Sequence, residues 1–425
     1  MLFRSTGLDK CEARLICDPS LDCAVAEVEA WGEDGGLIED GTIVVTANTI
    51  TDIGPRNRVT VPPDAYRVDA AGKTIMPGLV DAHAHGPQGV GDLVPQQNWS
   101  LVQNLAMGTT TIHDPSSSAS MIFSASERQQ AGNMLAPRIF STAEVVYGAK
   151  APGVYARIAS YEDALAHIQR IKAQGGISIK NYNQPRREQR QQVVAAARAE
   201  NMLVVAEGGS LFGMDMNLIA DGNSTLEHNV PGEVFYKDVL QFFGQSDTNY
   251  TPTLVVTYGG LAGDPYWRQA TNVWENPLMV HTPPAQLRAD TMRVTKAPET
   301  NFVDDDNARE AIKIARAGRL VSIGAHGQQA GIGPHWELWS FVRGGMTPIE
   351  ALAAGTIVPA RSLGYAKDVG SLEPGKLADL LVLDADPTAD IRNSDKISRV
   401  MLGGRMYDPR TRNEEIGRAS CRVRV

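Results

Sequence analysis

Long apolar runs are missing from the sequence. None approaches the ~20 residues that span a bilayer, so no membrane association is expected. Basic charge is in deficit as well: 40 lysines and arginines stand against 49 acidic residues, for a formal charge of -9. With no basic stripe in view, nucleic acid is not an expected partner. Cysteine is scarce, four in 425 residues. Cys11, Cys17 and Cys23 crowd the N-terminus at spacings unlike the short pairs of structural zinc sites, so a disulfide framework is not expected either. The start, MLFRSTGLDK, lacks the apolar centre of a signal peptide. As the chain stands it is expected in the cytoplasm, or in the periplasm if it is a piece of an exported protein. No G-x-S-x-G elbow occurs, which leaves a serine hydrolase without support. AAGKT at Ala70–Thr74 looks like the end of a phosphate-binding loop, but the first glycine of that motif falls on Arg67.

What is present describes a globular enzyme-sized chain. Apolar residues make up 43% and charged residues 21%, enough to bury a large core. GTIVVTANTITDIG from Gly41, and LADLLVLDADP and ISRVMLGGRMYD after Ser371, read as short hairpin-like strands. Between them apolar strands alternate with amphipathic helices, as in a parallel sheet covered by helices. Candidate strands begin near Thr74, Gly108, Pro137, Ile177, Met202, Ser224, Tyr250 and Arg319, about the number that closes a (β/α)8 barrel. Helices are expected over Tyr161–Gln174, Pro185–Glu200, Asp304–Ala317 and Thr347–Leu363.

The expected architecture is therefore α/β: a TIM-like (β/α)8 barrel over 74–370, with a small β-sandwich built from both flanks, 24–73 and 371–410. The termini, 1–23 and 414–425, are atypical, and the tail EIGRASCRVRV is set aside from fold reasoning. An insertion from Tyr258 to Asn301 is expected to sit over the site as a partly aromatic lid, through Tyr258, Tyr266, Trp267 and Trp274. Arg268, Arg288 or Arg293 in it would suit a clamp on a substrate carboxylate.

The strongest local signal is GLVDAHAHG, Gly78–Gly86. Alternate strand residues share a face, so Asp81, His83 and His85 point one way, towards the barrel mouth. GGISIKNYN turns Ser178, Lys180 and Tyr182 to the same axis. A buried ammonium is costly, and a lysine desolvated beside divalent metal would lose its proton and take up carbon dioxide as a carbamate. Glu207 in LVVAEGG, His228 in STLEHN and His326 in LVSIGAHG lie at further strand ends. His113, of inward parity, is a candidate for supporting the site or meeting substrate. His335 and Glu337, in PHWELW, are placed either to reach the mouth or to pack on the barrel rim. His167 and His281 read as structural.

These residues resemble the amidohydrolase superfamily of metal-dependent hydrolases, in GKTIMPGLVDAHAHG, SIKNY, STLEHN and SLEPGKLADLLVLD, across Gly41–Asp408. SIKNYNQPRREQRQQVVAAAR and GAHGQQAGIGPHWELW look like the amidohydrolase half of proteins that carry a TolB-like propeller; imidazolonepropionase- and prolidase-like members are also similar. The resemblance implies two divalent metal ions, zinc first with manganese or iron as alternatives. His83 and His85 would bind one ion, Lys180 would bridge as a carbamate, and His228 would bind the second. The family's histidine on the fifth strand is Glu207 here, and its aspartate on the eighth is His326. The exchange leaves the charge of the site unchanged, so both join the expected metal ligands.

The expected reaction is attack of a metal-bridged hydroxide on an amide, peptide or cyclic amide, with a small molecule or short peptide as substrate. Glu207, Glu337 or His326 is the expected base, and Tyr182 would hydrogen-bond the oxyanion. The rivals are deamination, lactone or phosphotriester hydrolysis on the same metals, and a metal-free scaffold. The sheet-rich flanks suit a homo-oligomer.

Overall fold

The structure is a computed structural model that describes residues 23–31, 36–86, 88–89, 93–150, 155–209, 211–292 and 296–416. Cys11, Cys17, Cys421 and Arg293 lie outside the described residues. The chain opens with β1 (Cys23–Trp31), β2 (Leu37–Thr46), β3 (Thr49–Pro55) and β4 (Tyr66–Pro77). It continues through β5 (Leu79–Asp81), β6 (Thr109–Asp114), β7 (Arg138–Ser141), β8 (Val145–Tyr147) and β9 (Tyr155–Arg157). Then come β10 (Ser178–Asn181), β11 (Leu203–Glu207), β12 (Thr225–Glu227) and β13 (Asn249–Thr251). β14 (Leu380–Leu383), β15 (Ile397–Leu402), β16 (Arg405–Tyr407) and β17 (Glu414–Ile416) close it.

Both ends of the chain build one eight-stranded, largely antiparallel sheet, in the order β17-β16-β15-β14-β4-β1-β2-β3. Rather than two facing sheets, it is a single sheet that buries its own core: Ile43, Val45, Ile50 and Ile75 meet Leu380, Val382, Met401 and Met406. β4 runs on to Pro77, paired with β14. The first strand of the central unit is thus Leu79–Asp81, not a strand from Thr74. Lys73 of AAGKT pairs with Asp384 in this sheet. The tail is not wholly set apart, since Glu414 and Glu415 of β17 form ion pairs with Arg405 and Arg399.

The middle of the chain forms two parallel sheets, β5-β6-β7 and β13-β12-β11-β10-β8-β9. The segment after Arg319 joins them. It makes only an isolated parallel bridge, Tyr250 to Val321, but the N–H of Ser322 donates to Tyr250 O and that of Ala82 to Ile323 O. Helices pack outside. The helix Tyr161–Ala173 buries Ala164, Ile168 and Ile171, and the Ser160 side chain caps its start. Helices Arg187–Ala199 and Asp304–Arg316 fall where the apolar period places them. Thr347–Leu363 is two helices, Pro348–Ala354 and Ile357–Ser362. Gly355 breaks it because its carbonyl accepts from Val80 N–H and a side chain there would strike Leu338 at 2.8 Å. Among the described residues no helix is long and apolar enough to cross a membrane.

Of the expected aromatic lid only Tyr258 stays half exposed, 5.7 Å from the His228 ring, and the other named aromatics are packed. Trp267 is buried and donates to Ser340 Oγ, and Trp274 packs against the main core. Tyr266 lies under the Arg343 guanidinium. Arg268 is fully buried between Asp264 (2.8 Å) and Asp290 (3.1 Å), with Gln329 Oε1 as a third partner. A guanidinium already held by two carboxylates cannot clamp a substrate, which corrects the expectation for Arg268. Arg288 is exposed.

Candidate metal centre

Four imidazoles meet where the parallel strands end. Ring centroids of His83 lie 4.9 Å from His85, 5.0 Å from His228 and 5.0 Å from His326, and His85 and His326 are 4.6 Å apart. One ligand atom each from His83, His228 and His326 falls within 4.8 Å of the others. Lys180 and Glu207 complete the group: Lys180 Nζ is 2.6 Å from Glu207 Oε2, and Glu207 Oε1 is 3.4 Å from His228 Nε2. All six expected ligands are therefore in one place.

The backbone explains how. His228 and His326 have φ of 68° and 57°, and Thr253 has 50°. Left-handed backbone is uncommon outside glycine and strained for a β-branched residue. Each turn swings its strand end inward. Two glycines make room beside them: a Cβ on Gly324 would lie 2.7 Å from His83 Cβ, and one on Gly327 would lie 2.2 Å from His85 O.

Hydrogen bonds fix the tautomers. His83 Nδ1 is 2.6 Å from Glu227 Oε2, and His85 Nδ1 is 3.2 Å from Asp114 Oδ1. Thr253 Oγ1 donates to Pro252 O, so at 2.7 Å it accepts from His228 Nδ1–H. Each ring thereby keeps a bare Nε2 for the centre, the arrangement that orients metal-binding histidines. Nothing in the sequence assigns Glu227, Asp114 and Thr253 to these rings, because Asp114 and Thr253 reach them from the adjacent strand and Glu227 reaches His83 from the other parallel sheet. The adjacency of Glu227 to His228 was the visible signal.

Electrostatics agree. Burial, reinforced by Lys180 and the other imidazoles, holds His83 well below its usual pKa. Burial and the neighbouring His85 and His228 lower His326 to about 3, so both rings are uncharged at neutral pH. Burial pushes the Glu207 carboxyl up, but Lys180 and His228 outweigh it and keep it ionised. Burial raises Glu227 to about 7 and Tyr182 to about 12.

The donor set fits a divalent metal. Neutral imidazole nitrogens and a carboxylate are its common ligands, and the buried His326 Nδ1 makes no hydrogen bond. His83 Nε2 and His85 Nε2 lie 3.1 Å apart. With both Nδ1 positions held by carboxylates, these two lone pairs face each other and call for a cation between them.

Other expectations land elsewhere. Tyr182 sits at the edge of the centre, within the field of Glu207. Glu337 is buried and accepts from Val255 N–H (2.7 Å) and Gly324 N–H (3.2 Å), which makes it a support for the Gly324 turn. His113 links Ala82 O to Ser178 Oγ. His335 is buried between Ser394 Oγ and Met107 O, the packed alternative. His281 bonds Pro409 O and His167 bonds Arg157 O.

Comparison with known proteins accords with this geometry. Among solved structures, a Xaa-Pro dipeptidase with methionine bound in its active site superposes with a TM-score of 0.69 at 19% identity, over 91% of this chain and all of that one. Ochratoxinase from A. niger gives 0.67 at 17%, over 92% and 95%. Such neighbours imply a TIM-like barrel. Imidazolonepropionase from Shouchella clausii (strain KSM-K16) is 47% identical over 55 residues, 13% of this chain and 12% of that protein. A 5-methylthioadenosine/S-adenosylhomocysteine deaminase from Nitratidesulfovibrio vulgaris (strain DSM 19637 / Miyazaki F) is 36% identical over 74 residues, 16% and 17% of the two chains. These matches span under a fifth of the curated relatives' length. The model of the amidohydrolase family matches residues 74–407, most of the chain. The chain belongs to the amidohydrolase family.

Proposed function

We propose that this protein is a metal-dependent hydrolase of C–N bonds in amides, peptides or cyclic amides, acting through a centre of two divalent ions. The facing Nε2 atoms of His83 and His85, each ring held by a carboxylate at Nδ1, carry the reading. His83 and His85 would hold one ion and His228 with His326 the other, and Lys180 and Glu207 would complete the two ligand sets. Zinc suits these ligands, with manganese or iron as alternatives. Such ions act as Lewis acids and lower the pKa of water to ~7.

The remaining work falls to side chains of this chain. Glu207, ionised beside Lys180 and His228, would accept a proton at Oε1 or Oε2 and pass it to the leaving amine. Tyr182, protonated at any working pH, would donate to the developing oxyanion. Lys180 as an ammonium pairs with Glu207; as a carbamate it would set two anions side by side, so carboxylation requires the cations to be bound. We read the central unit, 74–370, as a closed (β/α)8 barrel and the flanking sheet as a domain shared by both ends.

Metal content and a substrate panel test this. The expected result is close to two ions per chain after growth with zinc or manganese, and hydrolysis of amides or dipeptides that ends on chelation. Less than about half an ion per chain would favour a scaffold, and turnover confined to aminopyrimidines would make the enzyme a deaminase.

A further inference from the structure

Three tyrosines flank the centre and take no part in the ligand set. Tyr147 ends β8, Tyr155 opens β9 and Tyr182 follows β10. Their ring centroids form a nearly equilateral triangle: 5.8 Å from Tyr147 to Tyr155, 5.8 Å from Tyr147 to Tyr182 and 6.0 Å from Tyr155 to Tyr182. Strand alternation sets their direction. Val146 and Ala156, the strand neighbours of Tyr147 and Tyr155, are buried in the cluster with Ile168, Ile171 and Ile179. Tyr147 and Tyr155 therefore point to the opposite face, where all three rings are only partly buried. Tyr182 shares the inward parity of Lys180, two residues before it on the strand end that enters the centre. Across the centre Tyr258, half exposed, stands 5.7 Å from the His228 ring.

We infer that Tyr147, Tyr155 and Tyr182 form the subsite that receives a flat, uncharged aromatic group of the substrate, next to the bond that is cleaved. Tyr182 is set edge to face against Tyr147 and Tyr155, which presents both a π-face and a polarised edge and suits an arene better than an alkyl chain. A cation is the weaker candidate, because the Glu207 carboxylate is engaged by Lys180 here and would be engaged by the metal ions once they bind. A carboxylate is weaker still, because Arg268, the buried guanidinium of the insertion, is held by Asp264 and Asp290. The inference names the substrate class for the amide hydrolysis proposed above and rests on that reading.

The test uses the zinc-loaded full chain and two substrates with the same acyl group, 4-nitroacetanilide and N-butylacetamide. The ratio of their kcat/KM values measures selectivity for the ring. Tyr155→Leu and Tyr147→Leu are each expected to lower that ratio about tenfold, the order of one lost aromatic contact, while Tyr155→Phe keeps it. A fall of less than fivefold in both leucine variants overturns the subsite. Metal-free titration of the unaltered chain by tyrosine fluorescence needs neither variant nor turnover. Acetanilide is expected to saturate at a concentration at least fivefold below that for N-butylacetamide, and any smaller difference also overturns the subsite. If the loaded enzyme cleaves neither amide while acetanilide still binds selectively, the hydrolase reading fails and the aromatic subsite stands.

Discussion

The backbone N–H of His326 donates to the carbonyl of His83 across 2.7 Å. This bond ties the segment after Arg319 to the strand of the paired histidines, 243 positions earlier in the chain. Both residues belong to the imidazole cluster, so one backbone bond joins the segment after Arg319 to the first parallel strand and holds two of the four imidazoles together. Gly324 and Gly327 flank the contact at distances no side chain tolerates. Gly324→Ala and Gly327→Ala are each expected to cost about 1–3 kcal/mol in stability through overpacking. Both should also lower metal occupancy severalfold, read by thermal melting and elemental analysis. Gly375→Ala, at φ 93° with open space around it, should cost a similar strain energy yet leave metal content intact.

The carboxylates behind the histidines give a second expectation. Asp114 and Glu227 touch His85 and His83 at Nδ1, where they set the tautomer and the ring's orientation. Asp114→Asn and Glu227→Gln are expected to weaken metal binding roughly 10–100-fold each, as loss of such partners commonly does. Competition with a chelator of known affinity measures this. An affinity unchanged in both variants would mean that the Nε2 atoms do not bind metal.

The residues that cluster at the centre are legible in the sequence and the groups that orient them are not, and the reason is geometric. Strand alternation alone turns Lys180 and Tyr182 inward, because it is a local rule of period two, whereas His326 also needs its left-handed turn at φ 57°. Nothing local in TTTIHDP distinguishes Asp114, which serves the site, from His113, which joins strands through Ala82 O and Ser178 Oγ. That choice depends on which neighbouring strand ends nearby. The insertion misled for a related reason. Trp267 and Arg268 are as compatible with a lid as with a core, and only the burial of Asp290 facing Arg268 decides it. The break at Gly355 likewise depends on Val80, far away in sequence, needing a carbonyl.

That buried pair supports a third prediction. Arg268, Asp264 and Asp290 are all buried, and Asp290 and Gln329 join the insertion to the loop after His326 through one guanidinium. Arg268→Met would leave carboxylates without their counter-ion and is expected to destabilise the fold by about 3–5 kcal/mol. Replacing the set with Arg268→Met, Asp264→Leu and Asp290→Leu should recover most of that loss. Urea unfolding distinguishes the two. A single variant as stable as the parent would show that the pair does not hold the insertion.

Glu337 gives stability a pH dependence whose sign can be worked out. Burial raises its carboxyl to about 8 from an ordinary 4.5, against the pull of the Val255 and Gly324 amides. Between those values the folded chain holds a proton that the unfolded chain has released, so stability falls as pH rises through that window. The slope approaches about 1.4 kcal/mol per pH unit for one proton. Glu337→Gln cannot ionise, and although it loses one of the two acceptors, its contribution does not change with pH. The expected outcome is a variant less stable than the parent near pH 5 whose deficit shrinks steadily towards pH 8. Chemical unfolding at several pH values measures this. A deficit constant across the range would show that Glu337 is ionised in the fold, and its two backbone partners would then be held by a charge rather than by a neutral acid.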